Sequence, residues 1–217
     1  MAEVQRHGFD FENWVKETFF AEYNAKYTQK WDVPGEANCL AKIPKELQDL
    51  PVSIKTCKFR SPIGFGDALR QYNNNEDFLL IVGFWKQDGY YKNFVAVEGV
   101  KIFANDWKNL FSPLNANDLT LLDSTIKNIE SHYSEARKTA KELKNSDKFK
   151  QTKIILNPKI DSKTQRRLQC RLPFNIFWRD FAGKEHYQNI DCELFGEKIP
   201  NPFLSGQRIF IPKIKID

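Results

Sequence analysis

Apolar residues recur at helical spacing near the start of the chain, at Phe11, Trp14, Val15 and Phe19 with Thr18 in the same stripe. This predicts a helix over residues 8–23 with one face turned to a core. Residues 27–33 read as a strand, stopped by the turn at Pro34-Gly35. Residues 34–50 are rich in breakers and carry at most one helical turn, at 44–47. A second strand is predicted at 52–59. The pair Gly64 and Gly66 then interrupts the chain, and Asp67 is placed to cap a short helix at 68–72. Residues 78–85 form an unbroken apolar run, as expected of a strand buried on both faces. The turn Gln87-Asp88-Gly89 would return the chain through a strand at 93–97.

A short helix is expected at 104–114, closed by Pro113. Leu119, Leu122, Ile126, Ile129, Tyr133, Ala136, Ala140 and Leu143 keep helical spacing across 118–145, which predicts one long helix with a charged outer face. Residues 150–217 read as mainly β, with strands at 152–156, 166–172 and 209–216 separated by Asn-Pro, Asn-Pro and Ser-Gly turns. The expected organisation is a core over 1–117, a connecting helix over 118–149 and a β-rich region over 150–217. The fold class is α/β: a mixed central β-sheet flanked by helices.

With 217 residues, 41% of them hydrophobic, the chain is long and apolar enough for a sizeable core. No stretch approaches the roughly 20 apolar residues of a membrane span. The first residues, Met-Ala-Glu-Val-Gln-Arg-His, contain no apolar signal region, so a cytoplasmic protein is expected. Cys39, Cys57, Cys170 and Cys192 lack the close pairing of zinc ligands and read as reduced thiols. The net charge of +5 is unevenly spread. Residues 127–171 hold thirteen Lys or Arg against five Asp or Glu, so the remainder is mildly acidic. A basic region that can hold phosphates beside an acidic one that can hold cations suits a metal-dependent nuclease.

The chemistry that fits this division is carried by Asp32 and by Ser53-Ile54-Lys55. Strand alternation puts Ser53 and Lys55 on one face and turns Ile54 to the core. A carboxylate at the end of one segment and a Lys on the next strand can together hold a hard divalent cation and position water beside a phosphodiester. This pattern resembles the PD-(D/E)XK nuclease superfamily, and within it the type II restriction endonucleases. Their core is an Asp, a gap, and then (Asp/Glu)-x-Lys, and many carry a Glu on the first helix that leans into the site. The resemblance implies Asp32 as a Mg²⁺ ligand, the Ile54 carbonyl as another, and Glu12 as the helix carboxylate near a second ion. It implies Lys55 as the residue that orients or deprotonates water. Ser53 stands where the family has an acid, which removes one ligand. The resemblance covers residues 1–100.

The second informative segment runs from Ser162 to Leu172. As a strand, 166–172 places Arg167, Gln169 and Arg171 on one face, opposite Arg166, Leu168, Cys170 and Leu172. Arg and Gln pair with guanine and adenine edges in the major groove. Gln165, Arg166, Arg167, Gln169 and Arg171 are therefore expected to contact double-stranded DNA, with Lys163 and Lys159 on phosphates. Palindromic targets often go with symmetric dimers, so a homodimer is one possible state, beside a monomer. Two other functions use the same features: a structure-selective repair or resolving nuclease, and a nucleic-acid-binding module without catalysis. No triad, phosphate loop or dinucleotide fingerprint is present.

Overall fold

The structure is a computed structural model that describes residues 3–20, 23, 30–39, 41–89, 91–162, 164–186 and 188–204, with side chains from Asp10 to Phe203. Helix α1 (Glu3–Phe19) is followed by the short α2 (Gly35–Asn38) and a 3-10 turn at Lys45–Leu47. Then come β1 (Val52–Lys58), β2 (Ile63–Asp67), α3 (Ala68–Tyr72), β3 (Phe78–Asp88), β4 (Tyr91–Ile102) and α4 (Ala104–Asn109). Helices α5 (Ala116–Lys127), α6 (Tyr133–Lys144) and α7 (Asp147–Lys150) precede β5 (Ile155–Ile160) and β6 (Arg166–Leu172). Helix α8 (Phe174–Ile176) continues into a π-helical turn at Phe177–Phe181, and β7 (Glu193–Leu194), β8 (Glu197–Lys198) and β9 (Phe203–Leu204) complete the described chain.

The chain is α/β with small sheets. The first sheet has the order β1-β3-β4-β9 and is mixed: β1 runs parallel to β3, while β4 is antiparallel to both β3 and β9. The second is antiparallel, with the order β2-β6-β5. The run Phe78–Phe84 is buried throughout, as its continuous apolar character requires of a strand covered on both faces. One of those covers is α1. Phe11 stacks on Phe94 with ring centroids 4.7 Å apart, and a Cβ at Gly83 would lie 2.8 Å from the Phe11 ring. Gly83 is therefore the position that lets helix and sheet close up.

The other cover is larger. Phe78, Leu80, Val82 and Phe84 share a buried cluster with Ile63, Phe65, Trp107, Leu119, Ile126, Ala136, Leu156, Leu168 and Cys170. That cluster runs without a break from the first sheet through α5 and α6 to the inner face of the second sheet. Among the described residues no helix is long and apolar enough to cross a membrane.

Several expectations change. In its described part, the strand expected at 27–33 is reduced to one antiparallel bridge, Val33 with Val52. The single helix expected over 118–145 is two, α5 and α6, and the residues of the predicted stripe that fall at the break, Ile129 and Tyr133, are exposed. The chain leaves α5 at Asn128 and re-enters helix at His132, whose ring Nδ1 accepts from the Ser134 N–H. Asn157-Pro158 is not a turn but lies inside β5, an edge strand where the missing proline N–H costs nothing. The region after 150 is interrupted by helical turns at 174–181. The strand expected at 209–216 lies outside the described residues.

Candidate active site and nucleic-acid interface

Asp32 reaches β1 through the bridge at Val33. The Asp32 N–H donates to the Val52 carbonyl at 2.9 Å, and the Val52 N–H donates to the Val33 carbonyl at 2.7 Å. Antiparallel pairing of Val33 with Val52 sets Asp32 beside Ser53, on the face that also carries Lys55. Three donors converge on Asp32 Oδ2: the Ile54 N–H at 2.6 Å, Lys55 Nζ at 2.9 Å and the Ser53 hydroxyl at 3.5 Å. Lys55 Nζ also donates to the Ile54 carbonyl at 3.0 Å. Ile54 itself is buried with Phe11, Val15 and Ile81 beneath α1, so the strand cannot slide without exposing it.

The long connection between Asp32 and β1 is held from within. Buried Asn38 donates through Nδ2 to the carbonyls of Leu47 (2.9 Å) and Leu50 (2.8 Å). Gly35 lies so close to the Asp49 carbonyl that a Cβ would stand 2.6 Å from its oxygen. The described residues of 35–50 thus fold back as a compact flap whose two ends deliver Asp32 and Ser53 to the same place.

The residues present fit a hard cation in part. An anionic carboxylate and a backbone carbonyl both face one point, and there the Lys55 ammonium bonds to both, standing in for positive charge. Among the described residues no group of three or more His, Cys, Asp or Glu gathers as a metal cage. Glu12 is held by Lys16, one turn further along α1, at 2.6 Å. Ser53 is buried and supplies a hydroxyl rather than a second carboxylate. Cys57, two residues beyond Lys55, offers no nucleophile: burial pushes its thiol up to about 12, so it stays protonated at neutral pH.

The basic strand follows its expected bounds and alternation. Arg166, Leu168, Cys170 and Leu172 are buried, while Arg167, Gln169 and Arg171 face outward. Arg166 is correspondingly placed apart from the other expected DNA contacts. Its guanidinium donates to the carbonyls of Ile126 (3.4 Å), Asn128 and Ser131 (2.8 Å) across the break between α5 and α6, and to that of Ser162 (3.4 Å). It caps the end of α5 and is not available to a groove. Gln165 is exposed in the turn before β6, where its N–H donates to the Ser162 hydroxyl at 3.1 Å. Lys163 lies outside the described residues.

Register adds two residues that the sequence could not pair. On the outer face Asn157 opposes Gln169, and Lys159 opposes Arg167. Reading Asn157-Pro158 as a turn hid the first of these; the alternation of Ile155, Asn157 and Lys159 was the signal available. Comparisons of the chain with protein-family models, with curated proteins and with solved structures each gave no match.

Proposed function

We propose that the chain is a Mg²⁺-dependent, sequence-specific endonuclease of double-stranded DNA that hydrolyses phosphodiester bonds at Asp32 and Lys55, as a type II restriction enzyme does. One observation carries this reading: Lys55 Nζ donates both to Asp32 and to the Ile54 carbonyl, joining groups of two segments. These are the groups that the resemblance to PD-(D/E)XK nucleases assigns to the reaction. The local order also agrees: a helix bearing Glu12, a bridged segment bearing Asp32, a strand bearing Lys55, then a crossover containing α3 to a parallel strand.

Asp32 and the Ile54 carbonyl would hold the ion, with Glu12 as a further carboxylate. Bound there, Mg²⁺ would draw charge from the scissile phosphate and favour ionisation of water. With an ion on the Ile54 carbonyl and Asp32, Lys55 would keep its bond to Asp32 and turn its other N–H donors to water or a phosphate oxygen. Its fixed positive charge would stabilise the pentacovalent phosphate, a task that needs preorganisation more than motion. Asp32 would keep that ammonium aimed, and the Ile54 N–H would keep Asp32 aimed in turn. Hydrolysis adds the water hydroxyl to phosphorus and its proton to the leaving oxygen.

Digestion of a plasmid library with Mg²⁺ tests this reading. Wild type should give discrete fragments, and Asp32→Ala and Lys55→Ala should give none. Fragments that persist in either variant would sink it. A second reading has its own support. Glu12 is committed to Lys16, and Ser53 replaces an acid, so the same fold could serve as a nucleic-acid-binding module without catalysis. In that case binding would be salt-dependent and indifferent to Mg²⁺.

A further inference from the structure

We infer that the outer face of the three-stranded sheet is a major-groove reader in which Asn157 and Gln169 act together on one A·T pair. This rests on the nuclease reading only for the identity of its ligand, duplex DNA. Four side chains on this face, Asn157, Lys159, Gln169 and Arg171, are half-buried, and none makes a side-chain hydrogen bond within the described residues. None of their polar atoms is among the buried ones that lack a partner, so their ends are open to water, which a duplex edge can replace. Two of the four, Asn157 and Gln169, stand opposite each other, with Cβ atoms roughly 5 Å apart by strand geometry. Arg167 has one weak partner, Asp161 at 3.7 Å. Arg166, on the inner face of the same strand, donates to four carbonyls.

The shape of the face suits a groove. Arg171 is paired in register with Gly64 on β2, and a Cβ at Gly64 would meet nothing within 4 Å. Beside Arg171 the third strand therefore presents bare backbone, while further along it Asp67, whose carboxylate caps α3, is in register with Gln169. A two-stranded ribbon is what the roughly 12 Å width of the major groove admits. Spacing agrees as well. Same-face residues along a strand lie about 6.7 Å apart, which is two base-pair steps of about 3.4 Å. Gln169 and Arg171 would thus meet base pairs two steps apart. Asn157, beside Gln169 in the ribbon, would meet the same base pair, one amide bidentate on adenine N6 and N7 and the other donating to the thymine O4. Asn and Gln pair bidentately with adenine, and Arg with guanine. Lys159 and Arg167, opposite each other at the end of the ribbon next to the β5–β6 turn, would take phosphates.

The test is selection from a randomised duplex pool, with Ca²⁺ in place of Mg²⁺, using the full chain and variants with unchanged urea midpoints. Wild type should enrich a motif holding an A·T pair and, two steps away, a G·C pair. Asn157→Ala and Gln169→Ala should each erase the A·T preference and weaken binding to the enriched duplex by about 10- to 100-fold, leaving random duplex unaffected. The near-isosteric Gln169→Glu should also erase the A·T preference, and its added negative charge should weaken random duplex as well. Arg171→Ala should erase the G·C preference alone. Lys159→Ala should weaken enriched and random duplex equally, and lower the salt slope by about one.

An enriched motif unchanged in Asn157→Ala and Gln169→Ala, or no binding to duplex at all, overturns the inference. The two readings fail separately. A chain that discriminates sequence through these residues but never cuts defeats the nuclease reading alone. A chain that cuts at a motif indifferent to them defeats the reader alone.

Discussion

The two sheets treat their polar side chains in opposite ways. At the edge of the four-stranded sheet, Asp32, Ser53 and Lys55 bind one another and the backbone between them. On the outer face of the three-stranded sheet, Asn157, Gln169 and Arg171 bind nothing within the described residues. The first is a cluster preorganised to act on charge. The second is a surface whose polar ends are open to water and can exchange it for a partner. Strand β6 contains the contrast within itself, because Arg166 and Arg167 differ by one residue and by the whole thickness of a sheet.

The largest effect expected on the first site is loss of cleavage. Removing a preorganised charge that faces a developing oxyanion costs on the order of 100- to 1,000-fold in rate. Lys55→Ala and Asp32→Ala should each lose at least that much, measured as single-turnover cleavage of one duplex. Their affinity for the same duplex in Ca²⁺ should change far less if the second sheet supplies the binding. Equal losses of cleavage and binding would erase the distinction between the regions.

Arg166 breaks the comparison within β6. Arg166→Met removes a buried guanidinium from four carbonyls and uncaps α5, so a stability loss of about 2–4 kcal/mol is expected in urea unfolding. Arg167→Met, with one long ion pair at the surface, should stay within about 0.5 kcal/mol. DNA affinity should reverse the order, with Arg167→Met the weaker binder and folded Arg166→Met close to wild type.

This residue also explains what could be read in the sequence and what could not. The bounds of β6, its alternation, the buried run after Phe78 and the Asp67 cap on α3 all follow from local pattern. The meeting of Asp32 with Lys55 was legible as a spacing. Its geometry was not, because it depends on a flap held by Asn38 through carbonyls far along the chain. The break at 128–132 was invisible for the same reason. Helical periodicity continues through it, and the guanidinium that satisfies the freed carbonyls comes from 40 residues further on. Asn157 was missed because Asn-Pro is a common turn signal, and only the register with Gln169 shows it to be strand.

Asn38 measures how far the first site depends on its flap. Asn38→Ala leaves the Leu47 and Leu50 carbonyls unpaired in a buried place and should cost about 1–3 kcal/mol. Because the flap sets Asp32 against β1, cleavage should fall as well, by up to about 100-fold. Sequence preference on the second sheet should be untouched. A changed motif in Asn38→Ala would mean that the two regions are coupled.

The smallest effect concerns the helix layer beneath the reader. The Lys148 ammonium, bonded to Asp118 Oδ2 at 2.6 Å, holds the Asp118 carboxyl below its ordinary range, helped by its hydrogen bond with the Asn115 backbone N–H. A depressed carboxylate contributes stability that is complete above its unfolded pKa of about 3.9 and fades as pH falls through the lower folded value. The pair is at the surface and screened, so Asp118→Asn should cost under about 1 kcal/mol at neutral pH. That difference from wild type should shrink toward zero in urea titrations below the ordinary carboxylate range. High salt should shrink it at neutral pH too, by screening the Lys148 charge. A deficit that persisted in acid would point instead to the capping box at Asn115, where the asparagine must replace a charged acceptor with a neutral one. In neither case should the duplex preference move, since Asp118 starts a helix whose far end, not its near one, is held by Arg166 on the inner face of β6.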